Sequence, residues 1–313
     1  MRPGGGRSPA SSDGEPRRSL FEGVAQVGKN VAVVTDTNSG IMQEEADRLG
    51  VFVVPMPFVV DGEECFEGVN LDAERFYARQ TEGADIVTSQ PSIVDLGRRW
   101  KELLETHDEI VYIPMSSGLS GSCETARQVA EHCGGRVHVV DNQRISVTQR
   151  EAVLDALRWI DEGKSAVQTC ALLESTKLDA SIYLMVDTMS HLRKSGRITP
   201  AAATIGSVLK IKPVLQIQGE KLDAFTVAKT LKAAKRAMIK ALAADIAKRF
   251  GEVADVRLYV AHTNRDEDAQ AFADEVRAHF GTPDVYVDRL PLSIACHVGP
   301  GALGIGCAKR QFA

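Results

Sequence analysis

The sequence predicts an α/β protein of two domains, in which a parallel-sheet domain precedes a domain with a mixed sheet. Its 313 residues, 44% of them hydrophobic, are enough for two domains of about 150 residues each. Short apolar runs alternate with helical patterns over residues 30–145, as they do in a parallel sheet. The later residues alternate similarly but include a hairpin signal at Gly219-Glu220, which indicates a mixed sheet. We therefore expect an N-terminal α/β domain at 30–146 and a C-terminal α/β domain at 147–313.

The first 29 residues differ in composition from the rest of the chain. Residues 1–15 are mostly Gly, Pro, Ser and Arg and offer almost nothing to bury, so we expect residues 1–29 to be a disordered tail. The apolar patch after Arg17 and Arg18 is too short for the core of a signal peptide.

Composition argues against several classes of function. The formal net charge of −5 gives no basic footprint for a nucleic acid. No apolar run approaches the roughly 20 residues of a membrane span. The cysteines have neither CxxC nor metal-ligand spacing, which favours reduced thiols in the cytoplasm. They are Cys65, Cys123, Cys133, Cys170, Cys296 and Cys307.

The first domain opens with a strand at 30–36, an apolar run of the kind that is buried on both faces. Asp61-Gly62 is a strong signal for a hairpin within 58–66. The other predicted elements are helices at 43–49, 71–79, 93–106 and 123–130, and strands at 51–56, 109–113 and 136–141.

The second half begins with a helical pattern at 147–178, broken near Gly163, which we interpret as a bridge between the domains. The chain closes on a segment rich in glycine, residues 294–304, to which we assign no element. The predicted elements between them are strands at 180–186 and 257–261, a helix at 200–209, a hairpin of 212–217 and 222–226, helices at 230–250 and 267–280, and a strand at 284–287.

A turn rich in serine, residues 116–122 (SSGLSGS), lies between the strand at 109–113 and the helix at 123–130. We call it the serine turn. Open α/β sheets bind ligands at the carboxyl ends of their strands, where free N–H groups favour an anion. Serine is also an ordinary N-cap residue, but four serines in seven positions exceed what a cap needs. The turn therefore favours an oxyanion site.

A serine hydrolase is the main alternative. Ser117 or Ser120 could pair with His297 as a nucleophile and its base. The segment 118–122 (GLSGS) misses the GxSxG elbow by its last residue, and no orienting carboxylate is identifiable. No phosphate-binding GxxxxGK[ST] motif occurs, so a nucleotide site is unsupported. On charge alone, Arg197 and its neighbours indicate a solvated turn.

Taken in order, five short motifs give the chain a recognisable pattern. They are 35–37 (TDT), 88–92 (TSQPS), the serine turn, 196–198 (GRI) and 297–304 (HVGPGALG). The set resembles the DegV family of bacterial fatty-acid-binding proteins, which includes the lipid-carrying subunit of fatty acid kinase. The resemblance covers about residues 30–310. It departs at Thr37-Asn38, where many relatives have Ser after the Asp, but Thr retains the hydroxyl.

The resemblance implies one long-chain fatty acid buried between or within the domains and no catalysis by the chain itself. The motifs that match the family's carboxylate ligands contain Thr88, Ser89, Ser117, Ser120 and His297, with the choice within each hydroxyl pair left open. Asp36, Thr37, Gly299 and Gly301 would lie in loops near the head group.

The resemblance also implies a partner. A fatty acid kinase catalytic subunit would carry ATP and Mg and convert the bound carboxylate to an acyl phosphate, while this chain holds no cofactor or metal. Arg197 matches a position implicated in contacting that kinase. Transient contact with a membrane surface would serve lipid exchange.

Overall fold

The computed structural model describes residues 29–205 and 211–311. The strands are β1 (Val31–Asp36), β2 (Val51–Val54), β3 (Pro57–Val60), β4 (Glu63–Phe66), β5 (Ile86–Thr88), β6 (Glu109–Ile113), β7 (Val137–Val139), β8 (Ala180–Met185), β9 (Lys212–Ile217), β10 (Asp223–Ala228), β11 (Val256–His262), β12 (Val285–Arg289) and β13 (Leu303–Lys309). The helices are α1 (Gln43–Leu49), α2 (Ala73–Thr81), α3 (Ile93–Leu103), α4 (Ser122–Ala130), α5 (Val147–Asp161), α6 (Ala166–Ser175), α7 (Ser190–Ser195), α8 (Pro200–Ala203), α9 (Leu231–Asp245), α10 (Asp266–Phe280) and α11 (Leu292–Val298).

The first sheet is parallel throughout, in the order β2-β1-β6-β7. Every residue of β6 is buried, because helices cover both faces of the sheet. Trp100 of α3 and Ala126 of α4 pack on one face, while Ala152 of α5 and Leu173 of α6 pack on the other. The predicted parallel sheet is confirmed.

A smaller antiparallel sheet, β4-β3-β5, extends the first half, and we call it the hairpin sheet. The predicted hairpin is confirmed: Asp61 and Gly62 both have positive φ, 49° and 86°, as the tight turn between twisted strands requires. The third strand, β5, was not predicted, because its three residues are too few for a periodic pattern to show. It ends at Thr88.

The second sheet is mixed, as predicted, with the order β10-β9-β8-β13-β11-β12. Only the β11–β12 pair is parallel. The segment 294–304, to which the sequence analysis assigns no element, contains most of α11 and the first residues of β13, a strand in the middle of this sheet. Glycines hide this strand in the sequence, yet the packing requires them. A Cβ on Gly306 would lie 2.9 Å from the carbonyl oxygen of Ser181 on β8.

Helix α5 contacts both sheets. Its apolar side contributes Val153 and Trp159 to the core under the first sheet, and Glu151 accepts a 2.7 Å hydrogen bond from the hydroxyl of Tyr259 on β11. The predicted domain boundary after residue 146 stays a prediction. The last residues of the predicted helix at 200–209, and the predicted tail apart from Lys29, lie outside the described residues.

The serine turn and α11 join the two halves. The Ser116 hydroxyl donates a 2.7 Å hydrogen bond to the carbonyl oxygen of Gly219, in the β9–β10 hairpin. A Cβ on Gly118 would lie 2.7 Å from the Cα of Glu220, so the turn meets this hairpin backbone to backbone. Helix α11 belongs to the second half by sequence but packs against Phe58 of the hairpin sheet.

Candidate functional site

A cavity of about 150 Å³ lies between the serine turn, α11 and the second sheet. Part of its wall, which we call the polar end, carries hydroxyls, an imidazole and a guanidinium. These are Thr88, Ser89, Ser120, Arg197 and His297. Most of the remaining wall is aliphatic and comes from the second sheet and the segments beside it. It includes Ile182, Leu184, Ile217, Leu222, Ala261, Leu290 and Ile305. The cavity therefore suits a ligand that is mostly apolar and has one polar end.

Thr88 and His297 form the centre of the polar end. Thr88 is the last residue of β5 and His297 lies in the last turn of α11, and the Thr88 hydroxyl is 2.9 Å from Nε2 of His297. Burial, together with the charge of Arg197, lowers the pKa of His297 to about 4. The ring is therefore neutral at pH 7 and can donate through one nitrogen and accept through the other.

The structure separates the two serines that the sequence left as alternatives. Ser120 lies in the cavity wall, where its hydroxyl is 2.8 Å from the hydroxyl of Ser122. Ser117 is exposed and hydrogen-bonds the carboxylate of Asp141 at 2.5 Å, outside the cavity wall. The turn has this shape because the amide groups of Leu119 and Ser120 both donate to the carbonyl oxygen of Ser116.

The loop after β5 supplies Ser89 and also Gln90 to the cavity wall, and Gln90 is a residue that the sequence analysis does not place in the site. The amide of Gln90 donates a 2.7 Å hydrogen bond to the hydroxyl of Thr125 on α4. A Cβ on Gly121 would clash with Oε1 of Gln90, so this glycine lets the serine turn approach the loop. Both Ser89 and Gln90 are exposed, and the polar end is therefore accessible from solvent.

Arg197 lies in the cavity wall with the hydroxyls, half-buried, and its guanidinium donates to the carbonyl oxygen of Ser195. On charge alone this arginine indicates a solvated turn, and the family resemblance implies only that it contacts a kinase. Its position adds a fixed positive charge to the polar end, close enough to influence the pKa of His297.

Asp36 and Thr37 support the site from outside the cavity wall. Buried Asp36 accepts hydrogen bonds from the amide of Met115, at 3.0 Å, and from Gln149 of α5. Burial raises the pKa of Asp36 despite these hydrogen bonds. Thr37 donates to Glu67 at 3.0 Å and accepts from the amide of Met56. These loops therefore brace the residues that precede the serine turn and follow β2.

Gly299 and Gly301 also lie outside the cavity wall. Both have positive φ, 78° and 79°, which favours glycine. A Cβ on Gly299 would lie 2.6 Å from the ring of His191, and one on Gly301 would lie 2.6 Å from Asp187. Their evident role is to turn the chain tightly between α11 and β13.

The geometry does not support the hydrolase alternative. Nε2 of His297 is hydrogen-bonded to Thr88, whereas Ser120 is hydrogen-bonded to Ser122 and Ser117 to Asp141. Neither serine is therefore paired with His297. Within residues 29–205 and 211–311, no carboxylate hydrogen-bonds His297, and no group of three His, Cys, Asp or Glu side chains is arranged to hold a metal ion. None of the helices in these ranges is both long and apolar enough to cross a membrane.

These features define an α/β protein with a parallel sheet in its first half, a mixed sheet in its second half, and a cavity that is apolar along most of its wall and polar at one end. The chain belongs to the DegV family: the family model described as "Uncharacterised protein, DegV family" matches residues 30–310. The resemblance seen in the sequence is thereby confirmed.

Relatives in this family are described as fatty-acid-binding proteins. The DegV protein of Bacillus subtilis is 31% identical over 279 residues, which cover 88% of this chain and 98% of that protein. Its crystal structure, described as that of a fatty acid binding protein, matches with a TM-score of 0.80 and 30% identity over 90% of this chain and 100% of that one. A fatty-acid-binding DegV family protein from Thermus thermophilus matches with a TM-score of 0.82 and 31% identity, covering 90% of this chain and 100% of the other.

Proposed function

We propose that this chain binds one long-chain fatty acid, with the carboxylate at Thr88, Ser89, Ser120 and His297 and the acyl chain against the second sheet. The observation that carries the proposal is the contrast within one cavity, whose Thr88–His297 end is polar and whose remaining wall is mostly aliphatic. The fatty-acid-binding relatives support the same ligand class.

The acyl chain would supply most of the affinity. At roughly 0.8 kcal/mol per buried CH₂, about 15 methylenes offer on the order of 12 kcal/mol before the cost of ordering the chain and the protein. The polar end would then fix the orientation of the ligand. A fatty acid held in this way should remain bound through purification.

The polar end suits a carboxylate that must stay reactive. Hydroxyl groups of Thr88 and Ser120 can donate to the carboxylate without neutralising it, whereas a bidentate arginine would engage both of its oxygens. Arg197 hydrogen-bonds a backbone carbonyl and contributes charge to the cavity wall. An anion beside His297 would raise the low pKa of this residue, because an opposite charge favours the protonated ring.

We propose further that the chain presents this carboxylate to a partner kinase and does not itself turn over substrate. The exposed Ser89 and Gln90 leave the polar end accessible to a second protein, and Arg197 lies where it could contact that protein. The partner would supply ATP and Mg, and the product would be an acyl phosphate. Lipid exchange would involve transient contact with a membrane surface in the cytoplasm.

Native mass spectrometry of the purified protein, followed by identification of the released lipid, tests the ligand. We expect one added mass that matches a long-chain fatty acid. A protein that is empty as purified, and still empty after incubation with oleate and palmitate, would contradict the proposal. Phosphorylation of the loaded protein by a fatty acid kinase catalytic subunit, with the empty protein as control, tests the partner.

A further inference from the structure

The carboxylate of Glu67 is buried where three elements meet. Its residue is only 3% exposed. One carboxylate oxygen accepts a 2.6 Å hydrogen bond from the amide of Leu292, the first residue of α11, and the other accepts a 3.0 Å bond from the hydroxyl of Thr37. The amide of Ser293 also donates to Glu67. A single side chain thus connects the end of β1, the end of β4 and the start of α11.

The hairpin sheet holds α11 at both ends. Glu67 directly follows β4 and binds the first amides of the helix, and Thr88 ends β5 and binds His297 in the last turn. Between them, Ala295 packs into the core of the hairpin sheet. Because α11 has only seven residues, it makes few hydrogen bonds of its own, and these outside contacts set its orientation.

We infer that Glu67 is a positioning residue for the head-group site, which holds the start of α11 so that His297 at its other end meets Thr88. Glu67 itself lies outside the cavity wall, so its effect on a ligand would pass through the helix. The inference rests on the proposed function in one respect, namely that the Thr88–His297 pair binds a carboxylate.

The charge state of Glu67 offers a readout that a purely structural role would not give. Burial and the nearby carboxylate of Asp36 raise the pKa of Glu67 to about 7, against the opposing effect of the α11 amides and the Thr37 hydroxyl. Tyr77 of α2 also lies near Glu67. Burial raises the pKa of its hydroxyl above the ordinary value, so Tyr77 stays protonated where Glu67 titrates. His297, with a pKa of about 4, stays neutral where Glu67 titrates.

Protonation should alter the contacts of Glu67. A carboxylate only accepts hydrogen bonds, whereas a carboxylic acid must also donate one. The contact with Thr37 would have to reverse, and the neutral acid would hold the two α11 amides more weakly. The environment of the His297 ring should therefore change as Glu67 takes up its proton.

Nuclear magnetic resonance of the ligand-free protein labelled at histidine nitrogen tests this directly. We expect the His297 ring signals of the wild-type protein to show a transition near pH 7, as set by the pKa of Glu67. The transition should be absent in Glu67→Gln and present in Glu64→Ala, which removes an exposed glutamate from β4, the strand that Glu67 follows. A flat His297 signal in the wild type, or an unchanged transition in Glu67→Gln, would overturn the inference.

Fatty-acid affinity provides the second arm. We expect Glu67→Ala to bind oleate about ten-fold more weakly, and Glu67→Gln about three-fold more weakly because its carbonyl oxygen can still accept from Leu292. Glu64→Ala should match the wild type, and unchanged affinity in a folded Glu67→Ala would overturn the inference. If the wild type binds no fatty acid, the proposed function fails, yet the ligand-free titration still decides the role of Glu67. If the Glu67→Ala variant does not fold, the titration still tests the role of Glu67, because it uses Glu67→Gln instead.

Discussion

Thr88 and His297 form a 2.9 Å hydrogen bond across 209 positions of sequence. Thr88 belongs to the hairpin sheet of the first half, and His297 reaches it because α11 leaves the second half to pack there. The candidate head-group site is therefore complete only when the two halves are in contact.

Replacing His297 by alanine should weaken fatty-acid binding by about ten-fold, because the carboxylate loses a hydrogen-bonding partner in a partly buried site. The matched control is His132→Ala, which removes an exposed histidine. Fluorescence displacement or calorimetry with oleate measures the effect, and circular dichroism checks folding. Equal affinity in a folded His297→Ala would mean that the carboxylate lies elsewhere.

The two serines of the turn should behave differently. Ser120→Ala should weaken binding by about three- to ten-fold, since Ser120 lies in the cavity wall and can donate a hydrogen bond. Ser117→Ala should leave affinity unchanged, because its hydroxyl is bonded to Asp141 outside the wall. The same oleate assay compares them, and the reverse order of effects would contradict the assignment.

The apolar wall should determine which chain lengths bind. Ile217→Trp would fill part of the cavity and should weaken binding of palmitate and oleate more than that of a shorter acid such as laurate. Val227→Trp places the same bulk on the exposed side of neighbouring β10 and serves as the control. A uniform loss for all chain lengths in Ile217→Trp would indicate that the acyl chain does not pass this position.

Arg197 should affect both the kinase reaction and His297. Arg197→Ala should lower acyl phosphate formation by the partner kinase more than it lowers lipid affinity, with the exposed Lys194→Ala as the control. It should also raise the pKa of His297 above its present value of about 4, because a neighbouring positive charge is lost. Histidine titration by nuclear magnetic resonance measures the second effect, and an unshifted or lower pKa would contradict it.

A carboxyl far from the polar end should control part of the pH dependence of stability. Burial and the charge of Glu151 raise the pKa of Asp155 to about 7. A raised pKa means that the folded state binds the proton more tightly, so the stabilisation is complete below the unfolded pKa and is lost as pH rises through 7. The free energy of unfolding of Asp155→Asn, relative to that of the wild type, should therefore increase as the pH rises from 4 to 8, by on the order of 4 kcal/mol in total.

Urea unfolding at several pH values measures this difference. Asp141→Asn, which changes a carboxyl at the serine turn with no such buried setting, is the comparison. A difference between Asp155→Asn and the wild type that does not change with pH would contradict the raised pKa.

The sequence predicts the parts of the fold that have strong periodicity. The runs that became β1 and β6 are continuous and apolar, and Asp61-Gly62 defines its hairpin chemically. By contrast, β13 contains Gly304 and Gly306. Glycine is needed at these positions because β8 approaches closely, but without side chains they show no strand pattern in the sequence. Tertiary packing determines this strand.

The candidate site divides in the same way. The serine turn and the residues after β5 are recognisable as polar segments at strand ends, and His297 stands out among glycines. Only the fold shows that Ser117 hydrogen-bonds Asp141 outside the cavity wall and that α11 places His297 beside Thr88. Glu67 gives no local signal, because its partners lie 30 and 225 positions away.

The hydrogen bond from Ser116 to Gly219 and the Thr88–His297 pair both join the same two halves of the chain. A fatty acid in the cavity would also contact both halves, through its carboxylate at the polar end and its acyl chain against the second sheet. Loaded protein would then resist separation of its two halves more than empty protein. A partner that contacts both halves could then distinguish loaded from empty protein without contacting the acyl chain.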